Sequence, residues 1–171
     1  MHKNNGRLFF KQLHIQTLVD KLMTRKNISP QSPFRFIDKN DSNKKFQNEF
    51  SGLNKIDLSY LVQINKKDLY VIIREFNEEI LAFIVLKDWG THFEIKLVER
   101  NRDPSLPDIK AGAELIILVE DLSRQFNYKK LVLYSVENRI SYYKNLGYVA
   151  KEIKITDSVY GTLTKMEKKV A

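Results

Sequence analysis

The chain has 171 residues, 43% of them hydrophobic, which is enough for one domain with a real core and too much for a disordered polymer. It has no cysteine, which excludes disulfides, thiol nucleophiles and thiolate metal sites, and its three histidines (His2, His14 and His92) are too scattered for a local metal motif. Residues 1–48 hold ten Lys/Arg against three acids, so seven of the eight excess positive charges lie there. Such a basic N-terminal third points to an acidic partner, nucleic acid among the candidates, although a solvated lysine-rich surface has the same composition.

No apolar run approaches the ~20 residues of a membrane span, and Met1 to Arg7 lacks a signal peptide's hydrophobic stretch. The expectation is a soluble cytoplasmic protein with no membrane contact. Leu8 to Ile15 has strand character, and Leu18, Val19, Leu22 and Met23 follow at helical spacing. From Asn27 to about Asn54 the chain turns polar, with Pro30 and Pro33, and reads as a loop or loosely helical insertion. Within it Asp38, Asn40, Ser42 and Glu49 occupy positions 1, 3, 5 and 12 of a calcium-loop template. Asn43 stands where the template wants glycine, and Lys39, Lys44 and Lys45 cancel the acids, so no metal is expected.

After Ser59 to Val62 come three strands, Leu69 to Arg74, Ile80 to Lys87 and His92 to Glu99, joined by turns at Asn77-Glu78-Glu79 and Asp88-Trp89-Gly90-Thr91. Lys110 to Ala113 reads as a glycine-centred turn, and Glu114 to Phe126 as a helix whose run Leu115 to Val119 is apolar all round, typical of burial on two sides. Asn127 can stop that helix. Lys130 to Val136 is β-rich, Asn138 can cap a short helix carrying Tyr142 and Tyr143, and Gly147 ends it as a left-handed residue. Lys151 to Ile155 and Val159 to Lys165 form a last pair of strands around Thr156-Asp157. The order is an α+β plan in a single domain spanning 1–171.

Two features of this stretch carry chemistry. Gly112 lacks the Cβ that would keep a ligand from the backbone, and the unpaired N–H groups of the helix's first turn would face an anion beside Lys110. The segments KAGAELI (110–116) and NRISYYKNLGY (138–148) resemble the acetyl-CoA-binding core of the GNAT superfamily of N-acetyltransferases, with its Q/R-x-x-G-x-G/A-x-x-L and N-x-x-A-x-x-F-Y-x-x-x-G-F motifs. Tyr142, Tyr143, Gly147 and Tyr148 match the second motif. Gly112 and Leu115 match the first, while Lys110 stands in place of its first glycine and Pro107 in place of Gln or Arg.

The resemblance implies a three-layer α/β/α fold with a mixed, mostly antiparallel central sheet flanked by helices. It also implies acetyl-CoA as acyl donor, a primary amine as acceptor, and no metal. The pantetheine arm would lie along the backbone of Val98, Glu99 and Arg100 with Asn138 touching it, and the pyrophosphate over Ile109, Lys110, Ala111, Gly112, Ala113 and Glu114. Tyr143 would donate the proton to the leaving thiolate, since a phenol of pKa ~10 is protonated at neutral pH. Glu94, with Glu99 as the neighbouring option, would be the base, provided burial raises its pKa; its other reading is a cross-strand salt bridge. Alternation places Glu94, Lys96 and Val98 on one strand face and Ile95, Leu97 and Glu99 on the other. A homodimer is among the expected assemblies. The alternative is an inactive module of the same fold that binds nucleic acid or an acidic partner through its basic N-terminal third.

Overall fold

The computed structural model describes residues 13–18, 33–48, 56–65 and 69–170. Residues 13–18 are helical (α1), which corrects the strand expected through Ile15. The reason is tertiary: Ile15 is fully buried, Leu18 packs on the same core one turn later, and His14 meets Phe126 edge-on at 5.4 Å. The rest of that expected strand and helix, residues 8–12 and 19–23, lies outside the described residues.

Within the polar insertion, where a loop or a loosely helical segment is expected, the structure has a strand, β1 (Phe34–Phe36). It pairs antiparallel with β2 (Leu69–Phe76), followed by β3 (Glu79–Asp88) and β4 (Phe93–Arg100). Between β1 and β2 lies α2 (Leu58–Ile64), capped by the Asp57 carboxylate, which accepts from the Ser59 N–H at 2.9 Å. Then come α3 (Ala111–Gln125), β5 (Lys130–Val136), α4 (Ile140–Asn145), β6 (Val149–Asp157) and β7 (Gly161–Lys169). The seven strands run β1-β2-β3-β4-β5-β7-β6, antiparallel throughout except for the parallel β4–β5 pair. The last hairpin turns at residues 158–160, beyond the expected Thr156-Asp157.

Strands β2 and β3 are apolar on both faces because both faces are covered. Tyr70, Ile72, Leu81, Ala82, Ile84 and Leu86 pack with Ala111, Leu115, Leu118, Val119 and Leu122 of α3. Val71, Ile73, Ile80, Phe83 and Val85 pack with Leu58, Leu61 and Val62 of α2. Ile15 of α1, Ile140 and Tyr143 of α4 and the Leu146 that follows it join the α3 side, which completes three layers. Ile117 is 47% exposed, so α3 is buried on one side only and the expectation of burial on two is corrected.

The acids of the calcium-loop template serve the fold instead. Asp41, 0% exposed, accepts a two-pronged bond from Arg35 at 2.8 and 2.9 Å and lies 3.1 Å from the Lys44 ammonium. Arg35 also reaches Glu75 on β2 at 2.8 Å, tying the insertion to the sheet. Asp38 caps the 3₁₀ turn Lys39–Asp41 by accepting from Asn40 N–H at 2.7 Å. Two protein cations thus occupy the surroundings of Asp41 that a metal would need. Glu49 lies outside the described residues, among which no three His, Cys, Asp or Glu side chains gather as a metal site. No helix among the described residues is long and apolar enough to cross a membrane.

Candidate active site

The site grows from one irregularity in β4. Val85 pairs with Leu97 and Leu86 with Ile95, so Lys96 is an extra residue, a β-bulge. The bulge reverses the alternation expected from the sequence. Val98 packs on the α3 core together with Phe93 and Ile95, while Leu97 packs on the α2 side. Val98 therefore does not share a face with Glu94, as strict alternation had it.

The same place is where the sheet opens. Strands β4 and β5 pair only from Phe93↔Leu131 to Ile95↔Leu133. Beyond Ile95, β4 continues to pair with β3 through Arg100, and β5 continues to pair with β7 through Val136. The facing edges of residues 96–100 and 134–136 have no ladder partner, so the middle of the sheet is a split. Unpaired strand edges are a row of backbone donors and acceptors for an extended ligand.

At the split stands the start of α3. Its first helical residue is Ala111, so Gly112 lies in the first turn of the helix and not in a turn before it, a correction to the sequence reading. A Cβ built on Gly112 would meet only Val98 Cγ2, at 3.8 Å, which is ordinary contact. Gly112 and Val98, from two separate predicted segments, are therefore neighbours. The Ala111 N–H donates to Ile109 O at 2.8 Å and the Glu114 N–H to Lys110 O at 3.0 Å. The N–H groups of Gly112 and Ala113 have no acceptor among the described residues. These two donors sit at the positive end of the helix dipole. Lys110 is the exposed N-cap residue and makes no side-chain cap bond. The Glu114 carboxylate is held by Arg74 Nε of β2 at 2.7 Å, and Arg100 pairs with Asp108 at the mouth of the connecting loop. Asn101, 4% exposed, anchors that loop: its amide bonds Ile80 O at 2.9 Å and its carbonyl accepts from the Gln47 and Asp103 N–H groups at 3.1 Å.

Tyr143 lies on α4, packed on the α3 core, and its phenol is within electrostatic reach of Glu99 on β4. Burial raises its phenol to about 12, with Tyr142 and Glu99 adding to the rise and Arg139 opposing it. Glu99 also adds to the raised pKa of Tyr160, which burial dominates, so Glu99 lies within electrostatic reach of both phenols. Tyr160, on the β6–β7 turn, was missed by the sequence reading; nothing in its local pattern signals a neighbour sixty residues away. Asn138 is exposed within the 3₁₀ turn Glu137–Arg139, and Arg139 is the N-cap of α4, so the expected capping by Asn138 is corrected. Gly147, at φ +88, and Asn127, at φ +57, end their helices as expected.

Glu94 is placed differently from a base. Its carboxylate accepts from Trp89 Nε1 at 2.7 Å and from Lys96 Nζ at 2.8 Å. Burial pushes its pKa up, but the bonds from Lys96 and Trp89 outweigh that and leave it below the ordinary value. It also pairs with Val132, in the closed part of the β4–β5 ladder. The geometry supports its salt-bridge reading, corrected in one respect: the partner, Lys96, is on the same strand and not across the ladder.

Tyr148 is 2% exposed and its hydroxyl has no hydrogen-bond partner among the described residues. An orphaned buried hydroxyl costs about 1–3 kcal/mol. Tyr148→Phe is accordingly expected to raise the free energy of unfolding by about 1 kcal/mol in urea; a loss of stability would mean the hydroxyl is satisfied in solution. A depression lined by Arg124, Asn127, Tyr128, Lys129, Lys169 and Val170 lies at the other end of α3 and holds none of the expected site residues.

No protein-family model and no curated protein sequence matches the chain. Solved structures do match. Ard1 from Thermoplasma volcanium superposes with a TM-score of 0.64 at 16% identity, over 81% of this chain and 97% of that one. The ribosomal-protein-S18-alanine N-acetyltransferase of Escherichia coli gives 0.63 at 12% identity, over 81% and 93%. YncA of Salmonella typhimurium, a putative acetyltransferase solved with acetyl-CoA, gives 0.56 at 15% identity, over 81% and 93%. With its split between β4 and β5 and the N-terminus of α3 at the opening, this chain has the GNAT acetyltransferase fold.

Proposed function

We propose that the protein is an N-acetyltransferase that uses acetyl-CoA to acetylate a primary amine. The observation that carries this reading is the meeting of the split strand edge at Val98 with the two free N–H groups of Gly112 and Ala113; the neutral phenol of Tyr143, within electrostatic reach of Glu99, supports it. The residues fit the donor. Val98, Glu99 and Arg100 offer an open strand edge to an amide-bearing arm, Gly112 and Ala113 offer donors to a pyrophosphate, and Ile109, Lys110, Ala111 and Glu114 complete that turn, with Asn138 at the start of the Tyr143 helix. Acetyl-CoA supplies an activated acyl group on a thiol leaving group. Tyr143 holds a proton near the split across the neutral range, where it can be given to departing sulfur. Glu99, rather than Glu94, is the carboxylate in reach of the split and of Tyr160. A neutral amine can also lose its proton to solvent, so a side-chain base is not a requirement of the reading.

The test is titration with acetyl-CoA by calorimetry, together with thermal unfolding. At 100 times its Kd, the ligand stabilises the folded chain by ~2.7 kcal/mol. Gly112→Ala has room for its Cβ and gains helix propensity, so it is expected to be as stable as the parent or more stable by up to about 1 kcal/mol. Gly112→Val is expected to lose most acetyl-CoA binding while remaining folded, because its branches project over the free N–H groups. Equal binding by parent and Gly112→Val would remove the pyrophosphate from this helix. Absence of any shift at millimolar acetyl-CoA would leave the inactive binding module as the reading of the fold.

A further inference from the structure

The sheet face opposite α3 carries an unbalanced set of charges on β3, β4, β5, β7 and β6. Lys130 and Lys165 reach the same oxygen of Glu167, at 3.2 and 3.1 Å, and Lys151 stands 3.7 Å from its other oxygen. One carboxylate neutralises one ammonium, so two further positive charges are held within a few ångströms of each other. Lys169 sits directly opposite Lys130 in the β5–β7 ladder, a like-charge pairing that disfavours the fold. Lys96 leans on Glu94, and Lys87, opposite Glu94 in the β3–β4 ladder, lies 4.1 Å above the Trp89 ring. Six lysines on this face thus gather round two glutamates, Glu94 and Glu167, with Glu99 further along β4 and Asp157 within electrostatic reach of Lys96 as the other acids on this side. Lys96, Lys130 and Lys151 expose 45%, 42% and 43% of their side chains, so their charges are open to a ligand.

The face is also aromatic. Trp89 is 52% exposed, yet its indole is fixed by the 2.7 Å bond from Nε1 to Glu94 and lies nearly parallel to His92, at 18° and 6.5 Å. Adjacent strands are about 4.8 Å apart, so lysines on the four strands from β4 to β6 span roughly 15 Å across the sheet. That is a groove-sized band of charge beside a fixed aromatic platform, the combination that holds a single strand by its phosphates and its bases.

We propose that this face binds single-stranded nucleic acid, with Lys96, Lys130, Lys151 and Lys165 on the phosphates and the Trp89–His92 pair against bases. An acidic peptide would use the lysines but has no call for an oriented indole, which is why nucleic acid is favoured. The surface is independent of the acetyl-CoA reading, and the test does not involve acetyl-CoA.

The intact chain is titrated with a fluorescein-labelled dodecamer of uridine, following anisotropy and tryptophan emission. Trp89 is the sole tryptophan, so emission reports this face alone. Binding is expected to quench it and to weaken as salt rises. The triple variant Lys130→Gln, Lys151→Gln, Lys165→Gln is expected to bind at least about tenfold more weakly, with a salt slope shallower by about 2, since each lost phosphate contact removes ~0.7 for a single strand. Trp89→Leu is expected to weaken binding roughly fivefold or more. Lys151→Gln alone, at an exposed position, repeats the first comparison in case the triple variant unfolds. Unchanged affinity in Lys151→Gln and Trp89→Leu, binding without quenching, no binding at low salt, or displacement by an equal concentration of oligoglutamate would each overturn the proposal.

Discussion

Replacing Tyr143 by phenylalanine is expected to lower turnover by about 10²-fold or more while acetyl-CoA affinity changes little. The ring remains, so its edge contacts with Tyr142 at 5.2 Å and Tyr148 at 5.8 Å persist, and only the proton is lost. Burial holds the phenol at about 12, so if the chain acetylates an amine as proposed, the parent should show no rate loss from Tyr143 ionisation as the pH rises from 7 towards 11. Tyr142→Phe is the control. It is 40% exposed and, one residue along the helix, points about 100° away. Steady-state rates with any accepted amine decide the matter: small, equal effects at the two positions would leave Tyr143 as a packing residue and end its role as acid.

The second large effect concerns stability. Asp41→Asn is expected to cost about 3 kcal/mol, because it leaves the Arg35 fork and Lys44 facing a neutral amide at a fully buried position. For a chain of this length that corresponds to a fall in Tm of roughly 6–12 °C. The pH dependence is specific. Burial raises the Asp41 pKa, but bonds from Arg35, the Asp38 N–H and Lys44 bring it down to about 2, below the ordinary 3.8. A depressed carboxylate stabilises the fold fully above its unfolded pKa and loses that contribution as pH falls through the folded one. The gap between parent and Asp41→Asn in urea unfolding should therefore be constant above about pH 5 and shrink between pH 4 and pH 2. A gap that persists undiminished at pH 2 would show that the hydrogen-bond geometry, and not the charge, is what the substitution removes.

The regular elements were legible because their signals are local. The expected Leu69 to Arg74, Ile80 to Lys87 and His92 to Glu99 each fall within two residues of β2, β3 and β4 at either end, and Lys130 to Val136 matches β5. Gly147 and Asn127 announced helix ends through backbone geometry that few other residues accept. What failed depends on distant partners. Ile15 is helical because the α3 core needs an apolar side chain there, and β1 exists because Phe34 and Phe36 find places along β2, neither of which a polar, proline-bearing window displays. At the candidate site, the sequence indicated Gly112 and Val98, which the fold makes neighbours, and Tyr143, whose phenol feels Glu99 on the same strand as Val98. For Glu94 it offered a base and a salt bridge, and the bonds from Trp89 and Lys96 that favour the salt bridge are matters of side-chain direction. The lysines of the opposite face were readable one by one as strand residues, but their meeting at Glu167 depends on β7 lying between β5 and β6, an order that the chain's sequence of elements does not state.

The bulge at Lys96 makes the strand a parity device. Counting along β4, odd residues lie under α3 before it and even residues after it, so one inserted position lets a single strand serve two different ledgers of inside and outside. Drawn into a regular ladder with Lys96 in register, the same residues would leave Phe93 and Ile95 where they are and exchange the places of everything downstream: Glu99 would be driven into the apolar layer and Val98 would leave Gly112. Deleting Lys96 has the opposite outcome, since Leu97 to Arg100 then keep their partners on β3, and their faces, in an unbroken alternation. A residue added or lost elsewhere between Leu97 and Arg100 has no such remedy, which makes the number of residues in this strand, as much as their identity, a property of the site.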